Sequence, residues 1–388
     1  MTFRLLALGL LLALAGLSVP LGAQDAPPEA ASRTERLVAI GDVHGDLETF
    51  CRLLARLELV DEELRWRGAD ARCVQLGDLI DRGARGREVL ELAMRLEVEA
   101  AAAGGAFVVL LGNHEVMNLM GDLRYVPAEE YAAFAGEEDP AMRASARERI
   151  LSLVTSSHPL LRSRYFAERR AELNARTFDE FFPPGFFAHR AAFRPDGRYG
   201  KWLLSRLVVH RHADTLFAHA GVDPAVGFAP LETINSRAHV ELRSFFRGVE
   251  ELERLGVFHA ALDLSILEDL IAAERKAGMA AALERPVALI EKALEGTLLH
   301  EKGPIWSRTL ARDAERPLYR AFVSLLEYHA VRHMVVGHTV TRSRRIETRF
   351  GHRLILVDTG MNQRFYGGTP SALELPPGKP PRMLEAAR

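Results

Sequence analysis

The sequence predicts an α/β fold with partly parallel sheets, on three observations. Short apolar runs recur along the chain and read as buried strands. Most of these runs stop at a Gly, His or Asp. Helical patterns stand between the first of them, which is the alternation that builds α/β layers.

The elements follow in order. Leu37-Val38-Ala39-Ile40 enters Gly41-Asp42. A helix is predicted over 47–57, where Leu47, Phe50, Cys51 and Leu54 fall on one face. Cys73-Val74-Gln75-Leu76 enters Gly77-Asp78, and a second helix over 87–103 is stopped by Gly104-Gly105. Phe107-Val108-Val109-Leu110-Leu111 enters Gly112-Asn113-His114. Later runs are Thr215-Leu216-Phe217-Ala218 into His219, Met334-Val335-Val336 into Gly337-His338, and Leu354-Ile355-Leu356-Val357 into Asp358. The stretches 122–205 and 224–304 are rich in Ala, Leu, Glu and Arg. They are expected to be helical insertions that wall the cleft. Residues 36–375 are thus expected to form one catalytic domain, with a linker over 24–35 and a flexible tail over 376–388.

The N-terminus carries a separate signal. Arg4 precedes an uncharged apolar run over 5–17, then Ser18, Pro20, Gly22 and Ala23, with the first acid at Asp25. This is the pattern of a secretory signal peptide over 1–23, cut after Ala23 or after Ser18. An uncleaved anchor is the alternative. Both place the rest of the chain outside the cytoplasm, because Arg4 stays inside; the periplasm is expected in a Gram-negative host. No stable membrane insertion is expected once the signal is cut. The 388 residues are 48% hydrophobic and 26% charged, with a formal net charge of -2, so no basic excess points to nucleic acid. The chain has two cysteines, Cys51 and Cys73. A disulfide is possible for an exported protein, but the place of Cys51 on an apolar stripe reads as core.

Polar residues at the strand ends form one constellation: Asp42 and His44; Asp78, Asp81 and Arg82; Asn113 and His114; His219; His338. In open α/β sheets function collects at the carboxyl ends of strands. Each member alone reads more readily as a loop or core residue. Five such segments in order, each at a strand end, make coincidence negligible. Carboxylate, imidazole and amide donors without thiolate suit manganese, iron or zinc. Asp78 is placed centrally to bridge two ions, which could share a hydroxide and clamp a phosphate for in-line attack.

Gly41-Asp42-Val43-His44-Gly45, Gly77-Asp78-Leu79-Ile80-Asp81-Arg82-Gly83, Gly112-Asn113-His114-Glu115, His219-Ala220-Gly221 and Gly337-His338 resemble the motifs of the phosphoprotein phosphatase family of calcineurin-like metallophosphoesterases. Met117-Asn118-Leu119-Met120-Gly121-Asp122-Leu123-Arg124-Tyr125-Val126, Gly200-Lys201-Trp202-Leu203 and Gly303-Pro304-Ile305-Trp306-Ser307-Arg308 narrow the resemblance to the Shewanella-like protein phosphatases. It implies a β-sandwich flanked by helices, with two divalent or mixed-valence metal ions at one edge. Asp42, His44 and Asp78 would hold the first ion; Asp78, Asn113, His219 and His338 the second. His114 would be the general acid, oriented by Asp81, with Arg82, Asn113 and Arg308 on the phosphate.

These roles also make chemical sense. A His–Asp pair can protonate a leaving oxygen near neutral pH, and a guanidinium fork suits phosphate oxygens. Glu115 fits a structural, hydrogen-bonding role, and Trp306 either lines the cleft or fills core, with core the stronger reading. His158, His189, His210 and His212 read as structural or exposed, and Arg342, Arg344 and Arg345 as a solvated face. The expected reaction is hydrolysis of a phosphomonoester on a phosphorylated protein, a phosphopeptide or a small phosphoester. A nucleotide or dinucleoside-polyphosphate hydrolase is the second reading. A catalytically dead phosphate-binding module is disfavoured by the intact donor set. Gly360-Met361-Asn362-Gln363-Arg364-Phe365-Tyr366 stands where eukaryotic members carry a Ser-Ala-Pro-Asn-Tyr loop, so their substrate choice and toxin binding are not carried over.

Overall fold

Alternation along the strands divides the core in two. The computed structural model describes residues 35–155, 178–377 and 379–386. Strand β1 (Leu37–Ile40) is buried at all four positions: Leu37 and Ala39 face one apolar cluster, Val38 and Ile40 another. A strand dry on both faces lies between two layers. The chain continues through α1 (Leu47–Arg56), β2 (Arg72–Gln75), α2 (Gly86–Ala102), β3 (Ala106–Val109) and α3 (Asn113–Met120). The α1 helix starts where Asp46 accepts a hydrogen bond from the Thr49 amide at 3.0 Å, and it buries Phe50, Leu53 and Leu54.

Within 122–205 the described residues form α4 (Ala128–Ala132), α5 (Pro140–Thr155), α6 (Phe178–Phe181), α7 (Phe186–Phe193) and α8 (Arg198–Leu203). Strands β4 (Val209–His212) and β5 (Thr215–Ala218) follow, then α9 (Leu231–Arg254), α10 (Leu264–Ala277) and α11 (Ala281–Leu294). Helices α9 and α11 approach closely at Gly248, where a Cβ would stand 2.6 Å from both Ile290 Cγ1 and the Pro286 carbonyl. The chain closes with α12 (Thr309–Arg312), α13 (Glu315–Tyr328), β6 (His333–Val336), β7 (Glu347–Arg349), β8 (Leu354–Leu356), β9 (Ser371–Leu375) and β10 (Arg382–Glu385).

The strands form two five-stranded sheets, ordered β10-β9-β1-β2-β3 and β4-β5-β6-β8-β7. The β1–β2, β2–β3, β5–β6 and β6–β8 pairings are parallel; the others are antiparallel. Leu37, Ala39, Val74 and Leu373 of the first sheet pack against Phe217, Val335 and Ile355 of the second, making the sandwich interior. Val38, Ile40 and Phe107 turn outward onto helical residues such as Phe50, Leu53 and Leu96. The expected sandwich flanked by helices is the fold observed. Among the described residues no helix is long and apolar enough to cross a membrane.

One expectation fails in the described part. The end of the chain is not a loose tail throughout, because Arg382–Glu385 pairs antiparallel with β9, in the register Arg382↔Glu374 to Glu385↔Ser371. This edge strand is four residues long and mostly exposed, so it shows no apolar pattern to read. The signal peptide and residues 24–34 of the linker lie outside the described residues. Cys51 and Cys73 are both free thiols.

Candidate metal centre

The parallel strands β1, β2, β5 and β6, together with β3, deliver their carboxyl ends to one edge of the sandwich. The loop after β1 and the loop after β2 are knitted together. The Val43 and His44 amides both donate to the Asp78 carbonyl at 2.9 Å, and the Gly45 amide to that of Leu79 at 2.8 Å. His44, Asp78, Asp81, Arg82 and His338 all have φ between 51° and 69°, a region that residues with a Cβ seldom occupy. Such strain gathers at functional sites and persists only where the surroundings enforce it. Glu115 is part of that enforcement: its carboxylate accepts from the amides of Asp78, Leu79 and Gly112 at 2.8, 2.8 and 2.9 Å. Gly112 can only be glycine, because a Cβ there would collide with Asp78 Oδ1.

Two groups of donor atoms result. In one, His44, Asp78 and His114 offer atoms that all lie within 4.8 Å of one another; in the other, Asp78, His219 and His338 do so. Asp78 belongs to both. Asn113 Oδ1 joins the second group, 2.9 Å from His219 Nε2 and 2.8 Å from His338 Nδ1. Asp42 Oδ2 lies 3.9 Å from His44 Nε2, and the Asp42 carboxylate accepts from the His338 amide at 3.1 Å. His219 is aimed by its Nδ1, 2.8 Å from the Leu76 carbonyl. These residues are all buried.

The electrostatics suit cations. Burial, then the neighbouring Asp358, pushes the Asp42 carboxyl well above its usual range. Burial and Asp78 push Asp358 up to about 6. Burial opposes the charge on Asp78, yet His219 and His114 hold its carboxyl well below the usual range. Burial also opposes charge on His219, but Asp78 and Asp42 raise it to about 9. Burial holds His44 and His338 low, keeping their imidazoles neutral and fit to ligate. His338 Nε2 is buried without a partner. Crowded buried carboxylates beside neutral imidazoles are what a bound cation relieves, so this donor set fits metal ions.

His114, itself a member of the first donor group, is also paired with Asp81. Nδ1 of His114 is 2.6 Å from Asp81 Oδ2, and Asn118 Nδ2 donates to Asp81 Oδ1 at 2.9 Å and to the His114 carbonyl at 3.0 Å. Arg82 Nη1 touches the His44 ring. Its guanidinium sits among Tyr125, Tyr366 and Phe365, with ring centroids at 5.2, 5.3 and 5.6 Å. Arg308, half-buried, reaches the His338 carbonyl at 3.3 Å and Thr339 Oγ1 at 3.4 Å. Every residue singled out for the site therefore comes to one edge.

The structure adds residues that sequence reasoning left out. Asp358 ends an apolar run as the other site residues do, and that was its available signal; Oδ1 accepts from the Gly360 amide at 2.9 Å while Oδ2 is buried unpaired. Asn118, Tyr125, Phe365 and Tyr366 stand in segments noted for their resemblance or departure, but nothing local to them marks a role at the site. Trp306 is partly buried and packs against the core, with its ring 6.1 Å from that of His338. One expectation changes. Arg344 does not join a solvated face: its Nη1 is buried without a partner, and its guanidinium lies 5.8 Å from the Tyr366 ring. His189 is buried and His210 and His212 lie on β4, while His158 falls outside the described residues.

Residues 35–244 match the family model described as calcineurin-like phosphoesterase. Shewanella-like protein phosphatase 2 of Arabidopsis thaliana is 32% identical over 227 residues, 56% of this chain and 53% of that protein. Shewanella-like protein phosphatase 1 of Plasmodium berghei is 20% identical over 330 residues, 84% of this chain and 67% of that one. The chain thus spans about half the length of the Arabidopsis relative. Among solved structures, the cold-active protein-tyrosine phosphatase of a psychrophilic Shewanella superposes with a TM-score of 0.55 at 22% identity, covering 90% of this chain and 80% of that one. That likeness concerns the fold.

Proposed function

This chain belongs to the calcineurin-like phosphoesterase family, and from that premise we propose that it is a metal-dependent phosphomonoester hydrolase acting on phosphoproteins or phosphopeptides. The observation that carries the reading is the sharing of Asp78 by two donor groups, one of which includes His114, itself held by buried Asp81. Asp42, His44 and Asp78 would hold one ion, and Asp78, Asn113, His219 and His338 the other. Two such ions supply an activated water and positive charge for the phosphate. The residues of the chain do the rest. His114 is oriented by Asp81 to give a proton to the leaving oxygen, and Asn118 fixes both. Arg82 and Arg308 lie on the two flanks of the donor cluster, where their guanidinium groups can grip phosphate oxygens. Burial of the cluster limits competing water.

The rings of Tyr125, Phe365 and Tyr366 form a collar around Arg82, and Phe365 is 58% exposed. A planar leaving group would find stacking partners there, which favours aryl over alkyl esters. The Shewanella protein with the similar fold is titled a protein-tyrosine phosphatase, in keeping with that preference.

The test is a panel of phosphotyrosine and phosphoserine peptides and nucleotides on metal-reconstituted protein and its Asp78→Asn variant. Hydrolysis of the phosphopeptides, with loss of both activity and bound metal in the variant, is expected. Full activity in an Asp78→Asn protein of measured metal content, or turnover of nucleotides alone, would overturn the reading. We also propose export, on the pattern of residues 5–23. An intact Met1 on cytoplasmic protein in the native host would refute it.

A further inference from the structure

At the C-terminal end of α3, where Leu119 and Met120 stand, lies a cavity of about 390 Å³. Its floor is Leu119 and Met120, from the end of the helix that begins with Asn113 and His114. Its walls come from α7, α9 and the segment after α9, with Phe246 and Phe258 on the apolar side. This volume lies in the range of small-molecule sites.

The cavity is apolar in body and cationic at its polar end. The lining carries four arginines, Arg190, Arg194, Arg243 and Arg247, against two carboxylates, Asp196 and Glu250. Arg194 is satisfied by Glu253 at 2.9 Å. The other three have no carboxylate within ion-pairing distance among the described residues. Arg243 and Arg247 stand one turn apart on α9, where like charges repel. Arg190 is only 5% exposed, and a buried guanidinium without a counter-charge is costly. Its Nη1 and Nη2 donate to the carbonyls of Asn118 and Ala260, at 2.5 and 3.3 Å, while Nε has no partner. Burial lowers its pKa to about 10, with Arg194 adding to the shift and Tyr131, Asp263 and Glu253 only partly offsetting it.

We propose that this cavity binds an amphipathic organic anion, an acyl- or aryl-bodied carboxylate or sulfonate, with its head on Arg190, Arg243 and Arg247 and its body against Phe246, Phe258 and Met120. The site is also wired to the catalytic edge. Arg190 holds the Asn118 carbonyl, and the Asn118 side chain holds Asp81 and the His114 carbonyl. An anion drawing on Arg190 alters what Arg190 gives to Asn118. Occupancy therefore changes catalysis, a coupling that rests on the reading of His114 as general acid; the binding itself does not.

The experiment starts with binding, so that it stands whatever the activity. Fluorescence titration of the full, metal-loaded protein with anilinonaphthalene sulfonate should saturate. Decanoate should displace the probe at concentrations at least tenfold below those needed by decanol, which lacks the charge, or by inorganic phosphate, which lacks the body. Arg243→Gln/Arg247→Gln should weaken probe binding at least tenfold while leaving basal phosphatase activity unchanged, since both side chains are exposed and Gln keeps the helix. Saturating decanoate should change kcat on a phosphoserine peptide at least twofold in the parent and not in the double variant. Absent saturation, equal binding by the double variant, or equal displacement by decanol overturns the site. Saturable binding with unchanged kcat overturns the coupling.

Discussion

Nδ1 of His114 and Oδ2 of Asp81 stand 2.6 Å apart, and both residues are buried. The pair leaves Nε2 as the free ring atom, turned toward Asp78, whose Oδ2 is 3.9 Å away. A histidine held in this way is suited to give its proton to a leaving oxygen. His114→Asn should therefore lose the general-acid factor, roughly 10²–10⁴ in kcat, on phosphoserine esters. It should lose much less on p-nitrophenyl phosphate, whose leaving group is stable as an anion. Asp81→Asn should keep that order with a smaller amplitude. The measurement is kcat across leaving groups of graded pKa at fixed metal content, with chemistry limiting. An equal slowing of every ester would remove His114 from the acid role.

Arg308 is held only by two long hydrogen bonds, to the His338 carbonyl and Thr339 Oγ1, and has no carboxylate at bonding distance among the described residues. Burial holds its pKa below the usual arginine value. Such a guanidinium is available to an incoming anion. Arg308→Ala should lower kcat/KM for phosphate esters by roughly 10- to 150-fold, the equivalent of a charge-assisted hydrogen bond of about 1.5–3 kcal/mol. Bound metal should not change. Steady-state kinetics with metal analysis checks both, and wild-type kinetics would move the role elsewhere.

Removing Glu115 should unfasten two loops at once. In Glu115→Ala the buried amides of Asp78, Leu79 and Gly112 lose their acceptor, and each unmet amide costs about 1–3 kcal/mol. Denaturant unfolding of the metal-free variant should show at least that loss for one amide, with weaker metal binding beside it. Glu115→Gln, which keeps one oxygen acceptor, should fall between. Parent-like stability in the alanine variant would mean that the loops hold themselves.

Metal loading should expel protons at neutral pH. His219 sits near 9 against a reference of 6.5, so in the metal-free fold it is protonated at pH 7. Its raised value means that its contribution to folding is complete below about pH 6.5 and fades as pH rises through about 9. A metal ion requires the neutral imidazole and must displace that proton. Apparent metal affinity should therefore climb from pH 6 to 9. Calorimetry in buffers of different protonation heat should detect proton release at pH 7 that shrinks toward pH 9. Metal binding with no proton release at pH 7 would contradict this assignment.

The strands that end in site residues were legible because most are apolar or nearly apolar runs, the mark of a strand with two covered faces. The four strands that escaped notice lack it. β4 is Val-His-Arg-His, β7 is Glu-Thr-Arg and β10 is Arg-Met-Leu-Glu, all partly or wholly exposed along their length. β9 is buried throughout but follows a loop with no helical spacer to announce it. The donor set could be read because its residue types cluster at strand ends. Asn118 could not, since its role depends on Asp81 being brought to it from the loop after β2, nor could Tyr125 and Phe365, which meet only around Arg82. Arg344 was misread for the same reason: three arginines in four positions look like a wet surface until Tyr366 is folded over one of them.

The pairing of β1 with β9 sets an order of events during synthesis. Leu37 opposes Leu375, and Asp42 takes the amide of His338. Strand β1 is therefore completed by a strand made much later, and the site cannot close before residue 338 has emerged. Until residue 375 has emerged, β1 keeps one edge bare beside β2. Pairings this distant in sequence make for slow folding and prolonged exposure of sticky strand edges. The β10 strand, which follows β9, caps its edge once that wait is over.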